Sequence, residues 1–236
     1  MGHTESSLEE LVVSSKSRKP AFIFDLDGTL VDSAFQIGQC INKARIEKGY
    51  PELTSQQVFE LVGVPIENFL VDLEIDDKKR ADIVLRFREL LKQEVITNNQ
   101  IFDGVEKFLS LTKQKNYAVG IATSKPTLLS ELVVTNSVLR KYVDVVQGTE
   151  GFPAKPDPEV IIRCASKLGS KNVVMFGDRA EDMLAARSAG CSAIGIHQTF
   201  HGKNELKGAG ASLVFSDFHK ALESFNLIEA LVIAND

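Results

Sequence analysis

The chain has 236 residues, 44% hydrophobic and 25% charged, with a mean hydropathy near zero. Its formal charge of −5 and pI near 5.5 provide no positive field to hold phosphate backbones or anionic lipid, which excludes nucleic acid and membrane surfaces as main partners. No apolar run approaches the roughly 20 residues that span a bilayer, and Cys40, Cys164 and Cys191, which lack any paired spacing, read as reduced thiols of a cytoplasmic protein.

Residues 1–19 read as an N-terminal extension expected to be flexible, with Ser7 and Glu10 spaced for a capping box over a short helix. The acids Glu5, Glu9 and Glu10 argue against an organelle-targeting peptide. The continuous apolar run 21–24 suits a strand buried on both faces. From 34 to 99 helical spacing takes over (Ile37, Ile41, Ala44; Val58, Leu61, Val62; Ile83, Val84, Phe87, Leu90, Leu91), punctuated by Pro51 and Pro65. Beyond Gly104, helices expected at about 105–115, 126–139, 158–168 and 180–189 alternate with strands at 118–122, 143–146, 172–176 and 193–196. A weak strand at 212–215 precedes a last helix from about 217. Such alternation implies right-handed crossovers and a parallel sheet with helices on both faces. The expected architecture is therefore α/β: a doubly wound, Rossmann-like core (20–33 and 100–236) interrupted by a mostly helical insertion at 34–99.

Ligands of such sheets sit beyond the carboxyl ends of the strands, so the polar residues there are the candidate site. The first strand ends in Asp25 and Asp27, two carboxylates that repel and lose hydration unless a cation or a proton is shared. Taken alone, the pair also fits an N-cap and a turn aspartate. The second strand ends in Thr123 and Ser124 ahead of Pro126, which places hydroxyl and backbone donors at a helix N-terminus, where phosphate or a plain cap fits. After the third strand, prolines flank Asp157 and stiffen the loop that carries Lys155, a lysine suited to neutralising a phosphate and a nearby carboxylate. Asp178 stands at the tip of the fourth strand, and Asp182 lies one helical turn on, facing the same spot. Hard oxygen ligands in that position suit Mg²⁺.

The segments Phe24-Asp25-Leu26-Asp27-Gly28-Thr29-Leu30-Val31-Asp32-Ser33, Ile121-Ala122-Thr123-Ser124-Lys125-Pro126, Lys155-Pro156-Asp157-Pro158 and Gly177-Asp178-Arg179-Ala180-Glu181-Asp182 resemble the four signature motifs of the haloacid dehalogenase superfamily. The resemblance spans about 20–225 and is to the phosphoglycolate phosphatase-like branch, whose helical cap is inserted after the first motif. It implies a Mg²⁺-dependent phosphatase in which Asp25 is the nucleophile and Asp27 the general acid, then base. It further implies metal ligands at Asp25, the Asp27 backbone carbonyl and Asp178, support from Asp182, phosphate contacts from Thr123, Ser124 and Lys155, and a supporting loop at Gly28 and Thr29.

The implied partner is a small phosphorylated metabolite, acted on by a monomer or homodimer. Phosphoglycolate, a nucleoside monophosphate, a sugar phosphate and pyrophosphate all stay open. A sugar phosphomutase would use the same core, but such enzymes favour an acid where this chain has Gly177. A non-catalytic phosphometabolite-binding module is disfavoured by the intact set of Asp25, Asp27, Lys155 and Asp178. Arg179 departs from the branch, pairing with an acid or touching substrate. His197 and His201, spaced i and i+4, read as a solvated loop rather than a zinc site. Arg45, Arg80, Arg86 and Arg88 read as solvated helix faces, and the turn at 61–65 as the part of the insertion that faces the crevice.

Overall fold

β1 (Ala21–Phe24) is fully buried. Its side chains alternate between two apolar clusters, Phe22 and Phe24 in one, Ala21 and Ile23 in the other. A strand of this kind needs helices on both sides, and the computed structural model, which describes residues 19–71, 75–97, 99–198 and 202–233, has them. The capping box expected at Ser7 and Glu10 lies outside the described residues, as does His201.

After β1 come α1 (Ala34–Glu47), α2 (Ser55–Leu61), α3 (Ile66–Val71) and α4 (Asp77–Thr97), then α5 (Val105–Gln114). The alternation expected beyond Gly104 follows: β2 (Ala118–Ala122), α6 (Thr127–Thr135), β3 (Val145–Gln147), α7 (Glu159–Leu168), β4 (Val173–Gly177), α8 (Ala180–Ser188), β5 (Ser192–Ile196), α9 (Lys203–Gly208), β6 (Leu213–Phe215), α10 (Phe218–Glu223) and α11 (Phe225–Ile233). The six strands pair in parallel in the order β3-β2-β1-β4-β5-β6. Phe108 of α5, Phe218 of α10 and Phe225 of α11 cover one face, and Val160 and Cys164 of α7, Met183 of α8 and Leu206 of α9 cover the other.

Three local features differ from the sequence reading. The helix expected to reach 139 stops at Thr135. Asn136 turns its amide back onto the Leu132 carbonyl, and Ser137 accepts from the Leu139 N–H to open a 3₁₀ turn at Val138–Lys141. The C-terminal helix divides at Ser224, and the short α9 was not expected.

Strand order reverses at β1, which lies between β2 and β4, so a crevice opens at the carboxyl ends of β1 and β4. Phe24 and Phe176 are register partners whose rings stack with centroids 4.6 Å apart. Asp25 donates its backbone N–H to the Phe176 carbonyl at 2.8 Å, which sets it beside Gly177 and Asp178. The helical block leaves and rejoins the core through one paired neck. Asp32 donates to the Gln100 carbonyl, Phe102 to the Leu30 carbonyl, and Val31 bridges Ile101 antiparallel. From this neck α4 packs back against α1 and α6, closing over the crevice.

Candidate active site

The loop after β1 is wound tightly. Leu30 and Val31 both donate to the Leu26 carbonyl, and Gly28 donates to the Val31 carbonyl at 2.9 Å. Gly28 has φ +85°, and a Cβ there would meet Asp178 Oδ2 at 2.5 Å, so both conformation and space call for glycine. Thr29 Oγ1 donates to Asp178 Oδ1 at 2.8 Å, tying this loop to the tip of β4. The winding holds Asp25 and Asp27 side by side and buried.

Asp25, Asp178 and Asp182 converge, with a carboxylate oxygen of each within 4.8 Å of the others. Lys155 Nζ lies 2.5 Å from Asp25 Oδ1 and 2.5 Å from Asp182 Oδ1, and it also donates to the Ala122 carbonyl at 3.1 Å. All three ammonium donors are thereby used. Burial alone would depress the Lys155 pKa, but the Asp182 and Asp25 carboxylates outweigh it and hold the ammonium above the usual lysine value. Burial pushes Asp25 up to about 7; Lys155 opposes the rise, and the nearby Asp182 and Asp178 add to it. Three carboxylates around one ammonium leave an excess of negative charge that burial penalises strongly. The donors are all hard oxygens, so the set fits a magnesium ion. Asp182 reaches the cluster because Gly177 lacks a side chain: a Cβ at 177 would collide with the Asp182 carboxyl. Asp182 Oδ2 also accepts the Arg179 N–H at 3.1 Å.

A second buried ion pair stands beside the first. Lys125 Nζ lies 2.7 Å from Asp27 Oδ1, with both side chains almost wholly buried. The sequence reading gives Lys125 no role; the available signal was its position three residues past the end of β2, from which a long side chain folds back over the crevice. Thr123 is buried, with its hydroxyl accepting the Lys125 N–H at 3.3 Å. Ser124 lines the cavity described below. At the start of α6 the Thr127 N–H is bonded by Glu150 Oε1 at 2.8 Å, so a carboxylate of this chain occupies part of the expected phosphate seat.

Arg179 takes the first of its two readings, pairing with an acid, and otherwise reaches the helical block. Its Nε pairs with Glu181 at 3.3 Å, and Nη1 donates to the Glu60 carbonyl at 3.4 Å in the last turn of α2 and to the Val62 carbonyl at 2.7 Å just after it. Gly63 has φ +82°, and a Cβ there would press on Arg179 Cδ at 2.9 Å. The turn at 61–65 therefore rests on the β4–α8 loop, and a cavity of about 330 Å³ opens between the helical block and the core, with Asp27 and Lys125 in its wall. Of the arginines expected to be solvated, Arg45 is instead buried, donating Nε to the Pro51 carbonyl at 2.9 Å. Arg86 pairs with Glu47 and Arg80 with Asp77, while Arg88 pairs with Glu67 at the cavity wall.

Residues 22–196 match the family model described as haloacid dehalogenase-like hydrolase. The chain is 29% identical over 212 residues to "Probable phosphatase IndB" of Dickeya dadantii, covering 86% of this chain and 92% of that protein. It is 31% identical over 179 residues to a phosphoglycolate phosphatase of Xanthomonas campestris, covering 74% of this chain and 81% of the relative. Among solved structures, a predicted phosphatase from Clostridium acetobutylicum superposes with a TM-score of 0.79 at 28% identity, covering 91% of this chain and all of the other.

Proposed function

The chain belongs to the haloacid dehalogenase-like hydrolase family and is a phosphatase, and on that premise we propose that it hydrolyses small phosphate monoesters with Mg²⁺ through an aspartyl-phosphate on Asp25. The observation that carries this reading is the meeting of Asp25, Asp178, Asp182 and Lys155 beyond the ends of the central strands.

Lys155 holds Asp25 by Oδ1, so in-line attack on phosphorus falls to Oδ2. The bond from phosphorus to the leaving alkoxide breaks as the bond to Asp25 forms, and Asp27 gives the alkoxide its proton. Asp27 then takes a proton from the water that cleaves the aspartyl-phosphate, restoring Asp25 and releasing phosphate. Lys125 positions Asp27 for both transfers through the same Oδ1 contact. The carboxylates of Asp25 and Asp178 with the backbone carbonyl of Asp27 would hold Mg²⁺, supported by Asp182. The ion supplies charge screening between nucleophile and phosphate when bound. The phosphoryl oxygens are received by Thr123 and Ser124, while the Lys155 ammonium, its donors engaged by Asp25, Asp182 and the Ala122 carbonyl, supplies positive charge beside them. The helices at 34–99 act as a cap, and the residues they present choose the leaving group.

The mutase alternative loses ground at Gly177, since an acidic side chain there would strike Asp182 as it is placed. A cytoplasmic setting accords with three free cysteines whose thiols burial pushes up, Cys40 to about 11 and Cys164 and Cys191 to about 12.

The test is phosphate release from a metabolite panel with Mg²⁺ and with EDTA, for the native chain and Asp25→Asn. The variant should lose at least roughly 10³-fold in kcat while keeping its circular dichroism spectrum. A folded Asp25→Asn protein that keeps its activity would overturn the assignment.

A further inference from the structure

We infer that the leaving group of the substrate is an uncharged alcohol with an apolar body, not a short hydroxy acid or a second phosphate. This rests on the phosphatase reading above and concerns the cavity next to Asp27.

That cavity of about 330 Å³ is at the small-molecule end of ligand pockets, and it has far more room than a two-carbon acid fills. Ile37, Leu61, Val64, Phe87 and Leu91 from the helical block and Phe152 from the core give it an extended apolar wall, beside a polar one at Asp27, Ser124 and Lys125. Ile37, Leu61, Phe87 and Leu91 are themselves buried, so the apolar lining is part of the packed core rather than a solvated rim.

The charge inventory points the same way. A leaving group with its own carboxylate or phosphate needs a cation to offset its desolvation. Among the described residues, the cations lining the cavity are Lys125 and Arg88. Lys125 is engaged by Asp27 at 2.7 Å, and Arg88 by Glu67. Each already has an acid of the same cavity as its partner, so neither stands ready to bind an anionic leaving group. An uncharged alcohol avoids that cost and gains from the apolar wall, where even one methylene is worth about 10-fold or more in selectivity.

The experiment compares kcat/KM for benzyl phosphate, methyl phosphate and 2-phosphoglycolate with Mg²⁺, three esters of alcohols of similar acidity. Val64→Asp is measured on the same panel; Val64 is only half-buried, so a carboxylate is tolerated there. Benzyl phosphate should exceed both others by at least about tenfold, and Val64→Asp should reduce that preference over methyl phosphate severalfold. If 2-phosphoglycolate equals or exceeds benzyl phosphate, the inference is overturned while the phosphatase reading stands. A benzyl preference that survives Val64→Asp also overturns it, because the selectivity then arises outside this cavity. If none of the three is hydrolysed and no other monoester on a wider panel is, the phosphatase reading itself has failed and the inference falls with it.

Discussion

Lys125 and Lys155 are both lysines driven inward against aspartates, and they divide the crevice between them. Lys155 spends its three donors on Asp25, Asp182 and the Ala122 carbonyl, locking the carboxylate cluster, while Lys125 holds only Asp27 and faces the cavity. Replacing Lys125 by Met keeps the stem packed and removes the contact that orients Asp27. Misplacing a proton-transfer group by about an ångström costs on the order of 10²-fold, so Lys125→Met should lower kcat by roughly that factor without unfolding the chain. Unchanged kcat in the steady state would mean that Asp27 needs no such orientation. At this scale Asp25, Asp27, Asp178 and Thr123 were legible because they stand just past strand ends, where chain order alone brings residues together, and Asp182 and Lys155 because one lies a helical turn beyond Asp178 and the other on a proline-stiffened loop. Lys125 was not: its role depends on which way a flexible side chain folds. Nor was the placement of Glu150 on the Thr127 N–H, which joins residues from two different loops.

Helix ends and their caps carry two further expectations. Arg179 lies between Asp178 and Asp182, yet its guanidinium serves the turn after α2, so it ties the β4–α8 loop to the wall of the cavity. Arg179→Ala should loosen that turn. The expected outcome is a KM raised about tenfold with a smaller change in kcat, together with faster amide exchange at 60–64; an unchanged exchange pattern would rule out the tie. Far from the crevice, Asp217 caps α10 by accepting the Lys220 N–H at 2.8 Å, and that bond holds its carboxyl below the ordinary 3.8. Asp217→Ala should cost about 1 kcal/mol at neutral pH. Because the folded-state pKa is depressed, the native cap contributes above about pH 4 and loses its contribution as pH falls through the folded value. Urea melts at pH 7 and pH 3 should therefore show the difference shrinking in acid. Most elements could be read directly, since periodicity switches cleanly from helix to strand. The break at Asn136 and Ser137 escaped because apolar spacing runs on past it, while polar side chains captured the backbone there.

Across the whole molecule the parallel sheet follows from the spacing of apolar runs, and its order places the acids of β1 and β4 beside one another. Burying that acidic cluster costs stability that a bound cation would return. With Mg²⁺ at about a hundred times its dissociation constant, the gain is ~2.7 kcal/mol, or several degrees in Tm for a chain of this length. Calorimetry in Mg²⁺ and in EDTA should show this rise, diminished in Asp178→Asn; identical melting in both would count against a metal site at these residues. How the helical block leans on the sheet was not legible, because the contacts of α4 with α6 and of Arg179 with Val62 join residues far apart in sequence. The neck at Val31 and Ile101 has a further consequence. Two chain ends that part and reunite side by side leave the strand pairing below independent of the block's length, so a lineage can redraw its clientele while inheriting the strand ends that carry Asp25 and Asp178.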